Sequence, residues 1–518
     1  MASIPSHGSQ RPEEKSDHQE AVDDVERTQV AKRWTRAMMK YGVEARGILP
    51  VPPESRTDTQ YSKIFFIWFS MNFNILSFSA GTLGPAVFGL GLRDSCLVIL
   101  FFNFLCAALP SYLATWGPRT GLRQMCQARY SFGYYGVILP CALNLISMCG
   151  FCILNSILGG QTLASVSNGS LSWSVGIIIV AIISLVVSFC GYEALVWFER
   201  IVWFPVLVAY VVALGVSGKH LISPPSEPAT VQAILSFAGV IAGFTITYAP
   251  LGSDFTMYCS PNGPSWRILP YSILGFLFSI VPAQCLGAAC AIAAPTVPSW
   301  AAAFEADNIG GLLAEVLSPV GTFGKVLVVL LAINLASNIA ATFYSITLNF
   351  QILVPHLVVL PRYLLSLAAT AVIIPVSLVG AHRFYATLTN FLALLGYWAS
   401  MFGAVVLVEH LVFRRNDFGA YDYEAWNTPS KLPTGLAALA ACLVAAGVIV
   451  PAMDQVWWTG PIGRKTGDIG FELAFVVTAL VYPVTRMVEL KVRGLWSYPQ
   501  GLDCAMGHEN RMGTKHML

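Results

Sequence analysis

Long runs of apolar residues alternate with short polar segments between residues 62 and 490. A helix needs about 20 consecutive, mainly apolar residues to cross the hydrocarbon core of a bilayer. Twelve runs approach or exceed this length, and they predict spans 1 to 12 at residues 62–90, 95–115, 133–160, 173–190, 198–217, 233–257, 270–295, 323–350, 361–380, 384–411, 433–453 and 468–490. The pattern therefore predicts an all-α polytopic membrane protein with about 12 transmembrane helices.

The composition supports the same conclusion. Of the 518 residues, 55% are hydrophobic and only 11% are charged, which is too little polar surface to face water on all sides. The formal net charge of +2 is too small to indicate a nucleic-acid partner. We therefore expect an integral membrane protein that is surrounded by the lipid bilayer and binds no nucleic acid.

The distribution of Lys and Arg indicates the orientation. Loops on one side of the predicted bilayer hold nine of these residues, loops on the other side hold six, and the two ends of the chain carry the rest. Cytoplasmic loops are enriched in Lys and Arg. Both termini are therefore expected in the cytoplasm, with residues 1–60 as a largely disordered tail and residues 491–518 as a second tail.

Spans 1 and 6 contain residues that interrupt helices. Ser77 and other polar groups of span 1 precede Gly81 and Gly84, while span 6 contains Pro250 and Gly252. Non-helical backbone at membrane depth is tolerated only inside protein or beside a water-filled cavity. Paired breaks in two halves of a chain indicate the binding site of a transporter with inverted repeats. The alternative is that these residues simply kink two ordinary packed helices.

The two broken spans lie five apart in the chain, as a five-plus-five inverted repeat requires. This spacing predicts a ten-helix transport core at residues 61–411. Residues 412–490 then supply helices 11 and 12.

Spans 3 and 8 add uncharged polar groups. Phe151 and Asn155 of span 3 are four residues apart, which places a ring and an amide on one helix face. Span 8 contains Ser337, Asn338 and Thr342 within an apolar run. Several uncharged amides and hydroxyls at this depth favour a functional role. Close helix packing through small residues is the alternative.

Several long motifs occur in one order along the chain. They are W-F-S-x-N-x-N-I-L-S-F-S-x-G-x-L-G-P from Trp68, L-N-S-I-L-G-G-Q ending at Gln161, G-Y-E-A-L-V-W-F-E-R-I-V-W-F-P from Gly191, D-F-T-x-Y from Asp254, S-N-I-A-A from Ser337 and N-F-L-A-L-L-G-Y-W from Asn390. With these motifs, residues 30 to 495 resemble the nucleobase–cation symporter-1 family and, within it, the fungal purine–cytosine permeases. The resemblance implies a leucine-transporter-like inverted repeat plus two C-terminal helices.

The resemblance also implies a site for a flat base between helices 1, 3, 6 and 8. By position, Phe151 and Tyr248 match the rings that stack on the base, although each stands where a tryptophan is frequent. Asn155 matches an amide that reads the edge of the base. Ser77 matches a polar position of helix 1, and Thr342 replaces an asparagine of helix 8.

Coupling is implied in the same way. Of two positions that supply hydroxyls to sodium in sodium-coupled relatives, Ser337 keeps its hydroxyl and Ala336 has none, which agrees with the proton coupling of fungal members. Asn338, Asp254 and Asn390 are further candidates for coupling or gating. The expected protein imports a purine or cytosine-type nucleobase with H⁺ across the plasma membrane.

The remaining candidate chemistry is sparse. We expect no acid or histidine at the centre of the bilayer, so the sequence does not identify the group that carries the proton. The lone C-x-x-C pair, Cys149 and Cys152, lacks a second ligand pair. We therefore predict no enzyme, no metal and no cofactor. A transporter of uracil, allantoin, a nucleoside or a vitamin, and a nutrient sensor without transport, remain alternatives.

Overall fold

The computed structural model describes residues 48–167, 169–189, 192–221, 228–354 and 362–494. Most of the two predicted tails, at residues 1–60 and 491–518, lies outside these ranges. Each of the twelve predicted spans contains a helix. From span 1 to span 12 the helices are Ser62–Asn72 with Ile75–Phe88, Leu92–Ala114, Ile138–Ser165, Trp173–Phe189, Tyr192–Ser217, Val231–Ile246, Ile268–Ala293, Thr322–Leu353, Arg362–Gly380, Phe384–Val408, Leu436–Ala452 and Gly470–Val492.

The connections carry shorter elements. Two further helices, Gln124–Gly136 and Pro298–Val316, follow spans 2 and 7 respectively, and a hairpin of two-residue strands, Asp454–Gln455 and Trp458–Thr459, follows span 11.

By length and composition, seven helical stretches of the described residues can cross a membrane, or eight if the bent pair of span 1 counts as one. Spans 9 and 10 form one continuous stretch in that count, and spans 4, 5 and 11 are shorter apolar helices.

The structure moves the break of span 1 away from Gly81 and Gly84, where the sequence predicted it. The two helices of the span meet at an angle of 60°, and the second one continues unbroken through both glycines to Phe88. Asn74 caps the second helix, because its side chain accepts a hydrogen bond from the backbone N–H of Ser77. Asn74, and not the two glycines that follow it, therefore fixes the position of the break.

The glycines of span 1 serve close packing instead. A Cβ atom on Gly81 would lie 1.9 Å from the carbonyl oxygen of Gln284, and one on Gly84 would lie 2.8 Å from Oγ of Ser95. Spans 7 and 2 thus approach the backbone of span 1 directly. Small residues allow this approach between membrane helices.

Span 6 is broken in its second half. Its helix ends at Ile246, a 3₁₀ turn follows at Ala249–Leu251, and the chain continues without a helix towards Cys259. Pro250 lies inside the turn. Gly252 packs tightly against span 2, since an added Cβ atom would lie 2.8 Å from Cβ of Leu113.

Buried ion pairs connect the C-terminal end of span 10 with the C-terminal end of span 12. Arg486 contacts Glu409 at 3.1 Å and Glu489 at 2.8 Å. Tyr482 donates a hydrogen bond to Glu409, and Arg414 lies 3.3 Å from the same carboxylate. The paired charges and their hydrogen bonds compensate one another's burial.

We predict that Gly81→Ala destabilises the protein by about 1–3 kcal/mol, because the new methyl group overlaps the Gln284 carbonyl and forces spans 1 and 7 apart. Thermal unfolding of the purified protein in detergent measures the effect. Gly447→Ala is the matched control, since no atom lies within 4 Å of a Cβ atom built there. Equal melting temperatures for the two variants would contradict the prediction.

Candidate functional site

A cavity lies where the two broken spans face spans 3 and 8. Its wall contains uncharged polar groups from all four spans and aromatic rings from spans 3 and 6. The lining residues are Met71, Asn74, Leu76, Asn144, Ser147, Met148, Phe151, Phe244, Thr247, Tyr248, Leu251, Asn338, Thr342 and Ser345. The breaks of spans 1 and 6 thus contribute directly to the cavity wall.

The break of span 1 exposes backbone groups that side chains satisfy. Nδ2 of Asn74 donates to the carbonyl oxygen of Met71 at 2.9 Å, and the Ser77 hydroxyl donates to the carbonyl of Asn72. Nδ2 of Asn72 donates to the carbonyl of Trp68 at 2.9 Å. Ser77 therefore stabilises the break through the Asn72 carbonyl and does not line the cavity.

Two aromatic groups bound the cavity. The Phe151 ring stands edge-on to Phe244 and Phe391, at centroid distances of 6.3 and 5.3 Å. The Tyr248 ring contacts the edge of Trp68 at 5.5 Å and lies 5.4 Å from the ring centre of Phe276. Both rings predicted from the sequence to stack on a ligand line the cavity, each held by neighbouring rings.

A chain of amides connects three spans beside the cavity. Nδ2 of Asn155 in span 3 donates to Oδ1 of Asn338 in span 8 at 2.8 Å. Nδ2 of Asn338 then donates to the Met71 carbonyl at 2.9 Å. Oδ1 of Asn155 is buried without a hydrogen-bond partner among the described residues. We call Asn155, Asn338 and the Met71 carbonyl the amide relay.

Spans 3 and 8 hold a second pair of amides near the cavity. Nδ2 of Asn144 donates to Oδ1 of Asn349 at 3.0 Å, and Nδ2 of Asn349 donates to the carbonyl of Ser345 at 3.0 Å. The Thr342 hydroxyl donates to the carbonyl of Asn338 at 2.8 Å, within its own helix. Its oxygen remains able to accept a further hydrogen bond.

The predicted site residues divide into two groups. Phe151, Tyr248, Thr342 and Asn338 line the cavity, and Asn155 lies one helical turn from Phe151, within the amide relay. The others do not line it: Ser77, Ser337, Asp254 and Asn390. Asn74, Asn144 and Thr247 line the cavity but were not predicted; Asn74 lies in the quoted span 1 motif, which offered a signal.

Asp254 and Asn390 have partners away from the cavity. Oδ1 of Asp254 accepts a hydrogen bond from the backbone N–H of Gln124 at 2.7 Å, at the start of the helix Gln124–Gly136. A carboxylate at a helix N-terminus is stabilised by the exposed N–H groups there. Oδ1 of Asn390 accepts from the backbone N–H of Val456, in the hairpin after span 11, at 3.2 Å.

Span 10 contacts both span 1 and the helix Pro298–Val316 near the C-terminal end of span 1. There, the hydroxyls of Thr82 and Tyr385 are 3.2 Å apart, and the ring of Phe304 lies 5.7 Å from that of Tyr385. By the predicted orientation, this is the external end.

The sequence matches a known family over most of its length. The family model described as "Permease for cytosine/purines, uracil, thiamine, allantoin" matches residues 50–460. The purine-cytosine permease fcyB of Emericella nidulans is 32% identical over 466 residues, which cover 89% of this chain and 91% of that protein. The purine-cytosine permease FCY2 of Saccharomyces cerevisiae is 31% identical, with 92% of each chain covered.

A more distant relative and a solved structure extend the comparison. The vitamin B6 transporter TPN1 of Saccharomyces cerevisiae is 27% identical, with 88% of each chain covered. The structure of Mhp1, a nucleobase-cation-symport-1 family transporter with bromovinylhydantoin bound, superposes with a TM-score of 0.64 at 17% identity. It covers 87% of this chain and 97% of Mhp1, so the two share a fold.

We predict that Asn74→Ala lowers the stability by about 1 kcal/mol, because the second helix of span 1 loses its capping acceptor. Thermal unfolding in detergent measures the change. Asn74→Ser keeps an acceptor for the Ser77 N–H and should lose less than the alanine variant. An alanine variant as stable as the unchanged protein would show that Asn74 does not fix the break.

Proposed function

The chain belongs to the family of permeases for cytosine/purines, uracil, thiamine and allantoin, and from that premise we propose that it imports a purine or cytosine-type nucleobase by proton symport. Membership makes it a membrane permease and not an enzyme. It also confirms the resemblance and the inverted-repeat fold inferred from the sequence motifs.

One observation carries the choice of ligand: the cavity combines aromatic faces with uncharged hydrogen-bonding groups. Its described lining residues include no Asp, Glu, Lys, Arg or His. A neutral flat base requires ring faces for stacking, worth about 1–3 kcal/mol per base, and polar partners for its edge. Phe151 and Tyr248 offer the faces, and Asn74, Asn338 and Thr342 offer the partners.

The unpaired amide oxygen of Asn155 supports edge recognition. A buried acceptor without a partner costs about 1–3 kcal/mol, so a ligand N–H that reaches it recovers this free energy. Every nucleobase that occurs in DNA or RNA can offer an N–H group as well as acceptors. An analogue without the matching group would leave the amide unpaired and bind less tightly.

The direction and the coupling belong to the same proposal. Broken helices around a central site suit alternating access, in which the site opens first to one side and then to the other. The contact between Thr82 and Tyr385 would separate when the site opens to the outside. We propose that the protein lies in the plasma membrane. The Lys and Arg distribution favours an orientation with both termini in the cytoplasm.

The test is uptake of radiolabelled cytosine, adenine, guanine, hypoxanthine and uracil by permease-deficient yeast that expresses the chain. Acid and neutral media, each with and without sodium, distinguish the coupling ions. We expect saturable, acid-stimulated and sodium-independent uptake of a purine or cytosine. Radiolabelled pyridoxine is tested in parallel because the vitamin B6 transporter TPN1 is a relative. Uptake of pyridoxine but of none of the bases would replace the nucleobase with a vitamin as the substrate.

We predict that Asn155→Ala weakens transport of the base by roughly ten- to hundredfold in KM, because the substrate edge loses the amide and Asn338 loses its donor. Uptake kinetics and surface labelling of the same cells provide the measurement. Ser156→Ala, one residue further along span 3, is the control for packing. Unchanged KM at normal surface expression would remove Asn155 from the site.

A further inference from the structure

Two carboxyl groups that the sequence analysis did not place at membrane depth lie side by side where span 12 begins. Asp468 is 3% exposed and precedes the helix Gly470–Val492, and Glu472 lies in its first turn. The two residues are four apart, and Asp468 accepts a hydrogen bond from the backbone N–H of Gly470, the first residue of the helix. We call them the carboxyl pair.

The carboxyl pair lies further inside the protein than the outer ends of the neighbouring spans 6 and 10. The backbone N–H of Asp468 donates to the Ser236 hydroxyl at 2.9 Å, and Ser236 is five residues, about 8 Å, inside the helix of span 6. Gly470 packs against the Tyr397 ring, which stands in the middle of the helix Phe384–Val408. The carboxyl pair is therefore buried between spans 6, 10 and 12, whereas the sequence was expected to place no acid or histidine at the centre of the bilayer.

The two carboxyl groups have opposite surroundings. Asp468 accepts hydrogen bonds from the Tyr397 hydroxyl, from Nε2 of Gln455 and from the backbone N–H groups of Asp454 and Gly470. Four donors stabilise the ionised form. Both carboxyl oxygens of Glu472 are buried and have no hydrogen-bond partner in another described residue.

An ionised Glu472 would be costly in this position. A buried carboxylate whose one hydrogen-bond donor is its own backbone N–H recovers little of the hydration that it loses. The titratable groups that act on it are Asp468, Tyr397 of span 10 and Cys106 of span 2, none of which supplies a positive charge. No ion pair of the described residues includes either member of the carboxyl pair. The pair is therefore expected to hold one negative charge and one proton.

The carboxyl pair is connected to the cavity through spans 6 and 10. A Cβ atom on Gly243 would lie 1.9 Å from the Leu392 carbonyl, so the two backbones are in direct contact. Phe244, the next residue of span 6, lines the cavity, and Tyr397 of span 10 contacts Asp468. A movement that separates spans 6 and 10 would change the cavity wall and the burial of the carboxyl pair together.

Gln455 connects the carboxyl pair to the hairpin after span 11. Gln455 donates to both Tyr397 and Asp468, and its amide oxygen is buried without a partner among the described residues. The next residues of the hairpin, Val456 and Trp457, are 75% and 62% exposed. By the predicted orientation, this hairpin faces the outside.

We propose that Glu472, beside the ionised Asp468, carries the proton that accompanies each substrate molecule, an inference that rests on the proposed proton symport. Glu472 takes up a proton from the external solution and becomes a neutral carboxylic acid. When spans 6 and 10 rearrange and the site opens to the cytoplasm, the carboxylic acid is hydrated and ionises. The proton is released there, and the empty transporter returns with the carboxylate.

Reconstitution of the full chain in liposomes tests this step. Two assays are compared for the unchanged protein and Glu472→Gln: accumulation of labelled base driven by an acidic exterior, and exchange of labelled for unlabelled base at equal pH. We expect the variant to keep exchange and to lose accumulation down to the level of protein-free liposomes. Glu305→Gln, which removes an exposed carboxyl from the helix Pro298–Val316, should keep both.

The outcomes separate the two proposals. Accumulation by Glu472→Gln equal to that of the unchanged protein overturns the inference, and so does an equal loss of exchange and accumulation, which would mark a structural role. Glu472→Asp, which keeps a titrating carboxyl, should restore accumulation with a shifted pH optimum. If the unchanged protein carries no tested base, the proposed function fails.

Infrared spectra provide a measurement that needs neither substrate nor variant activity. A protonated buried carboxyl gives a separate carbonyl band, which we expect at neutral pH in the unchanged protein and which should disappear in alkaline buffer. Glu472→Gln should lack this band. Absence of the band from the unchanged protein at neutral pH overturns the inference, whether or not a nucleobase is transported.

Discussion

Backbone hydrogen-bonding groups that an interrupted helix leaves free inside a membrane need partners, and this requirement governs the structure. A bilayer offers no water to carbonyl and N–H groups released by an interrupted helix, so the protein must supply their partners. At the break of span 1, Asn74 and Asn338 both donate to the Met71 carbonyl, and Ser77 donates to Asn72. Span 8 therefore supplies one of the two donors to the Met71 carbonyl, and span 1 supplies the other.

The same requirement accounts for the character of the cavity. Amides that stabilise the break also present unused acceptors and donors to the cavity, and their neutrality keeps the site free of buried charge. Asn338 takes part both in stabilising the break and in the site, because its Nδ2 donates to the Met71 carbonyl and its Oδ1 accepts from Asn155. A change in the position of span 1 would alter the amide relay, so the conformation of the break and the recognition of a ligand are coupled.

Span 10 connects the cavity with the added C-terminal helices. Phe391 supports the Phe151 ring, Gly396 packs close to Gly243 of span 6, and Tyr397 contacts the carboxyl pair. These contacts are distributed along less than two turns of one helix. Spans 11 and 12 thus contribute to the polar chemistry of the core as well as extending it.

The sequence by itself determined the twelve spans, because the length and apolar character of each run follow from the bilayer. It also predicted the break of span 6 from Pro250 and Gly252, and the family from the motifs. The resemblance to that family led us to expect Phe151 and Tyr248 at one site, and both line the cavity. Only the tertiary structure decided where span 1 breaks, since glycine signals a break and close packing equally well. It also decided the pairing of Asn155 with Asn338 and the burial of the Glu472 carboxyl group, because both depend on groups contributed by distant spans.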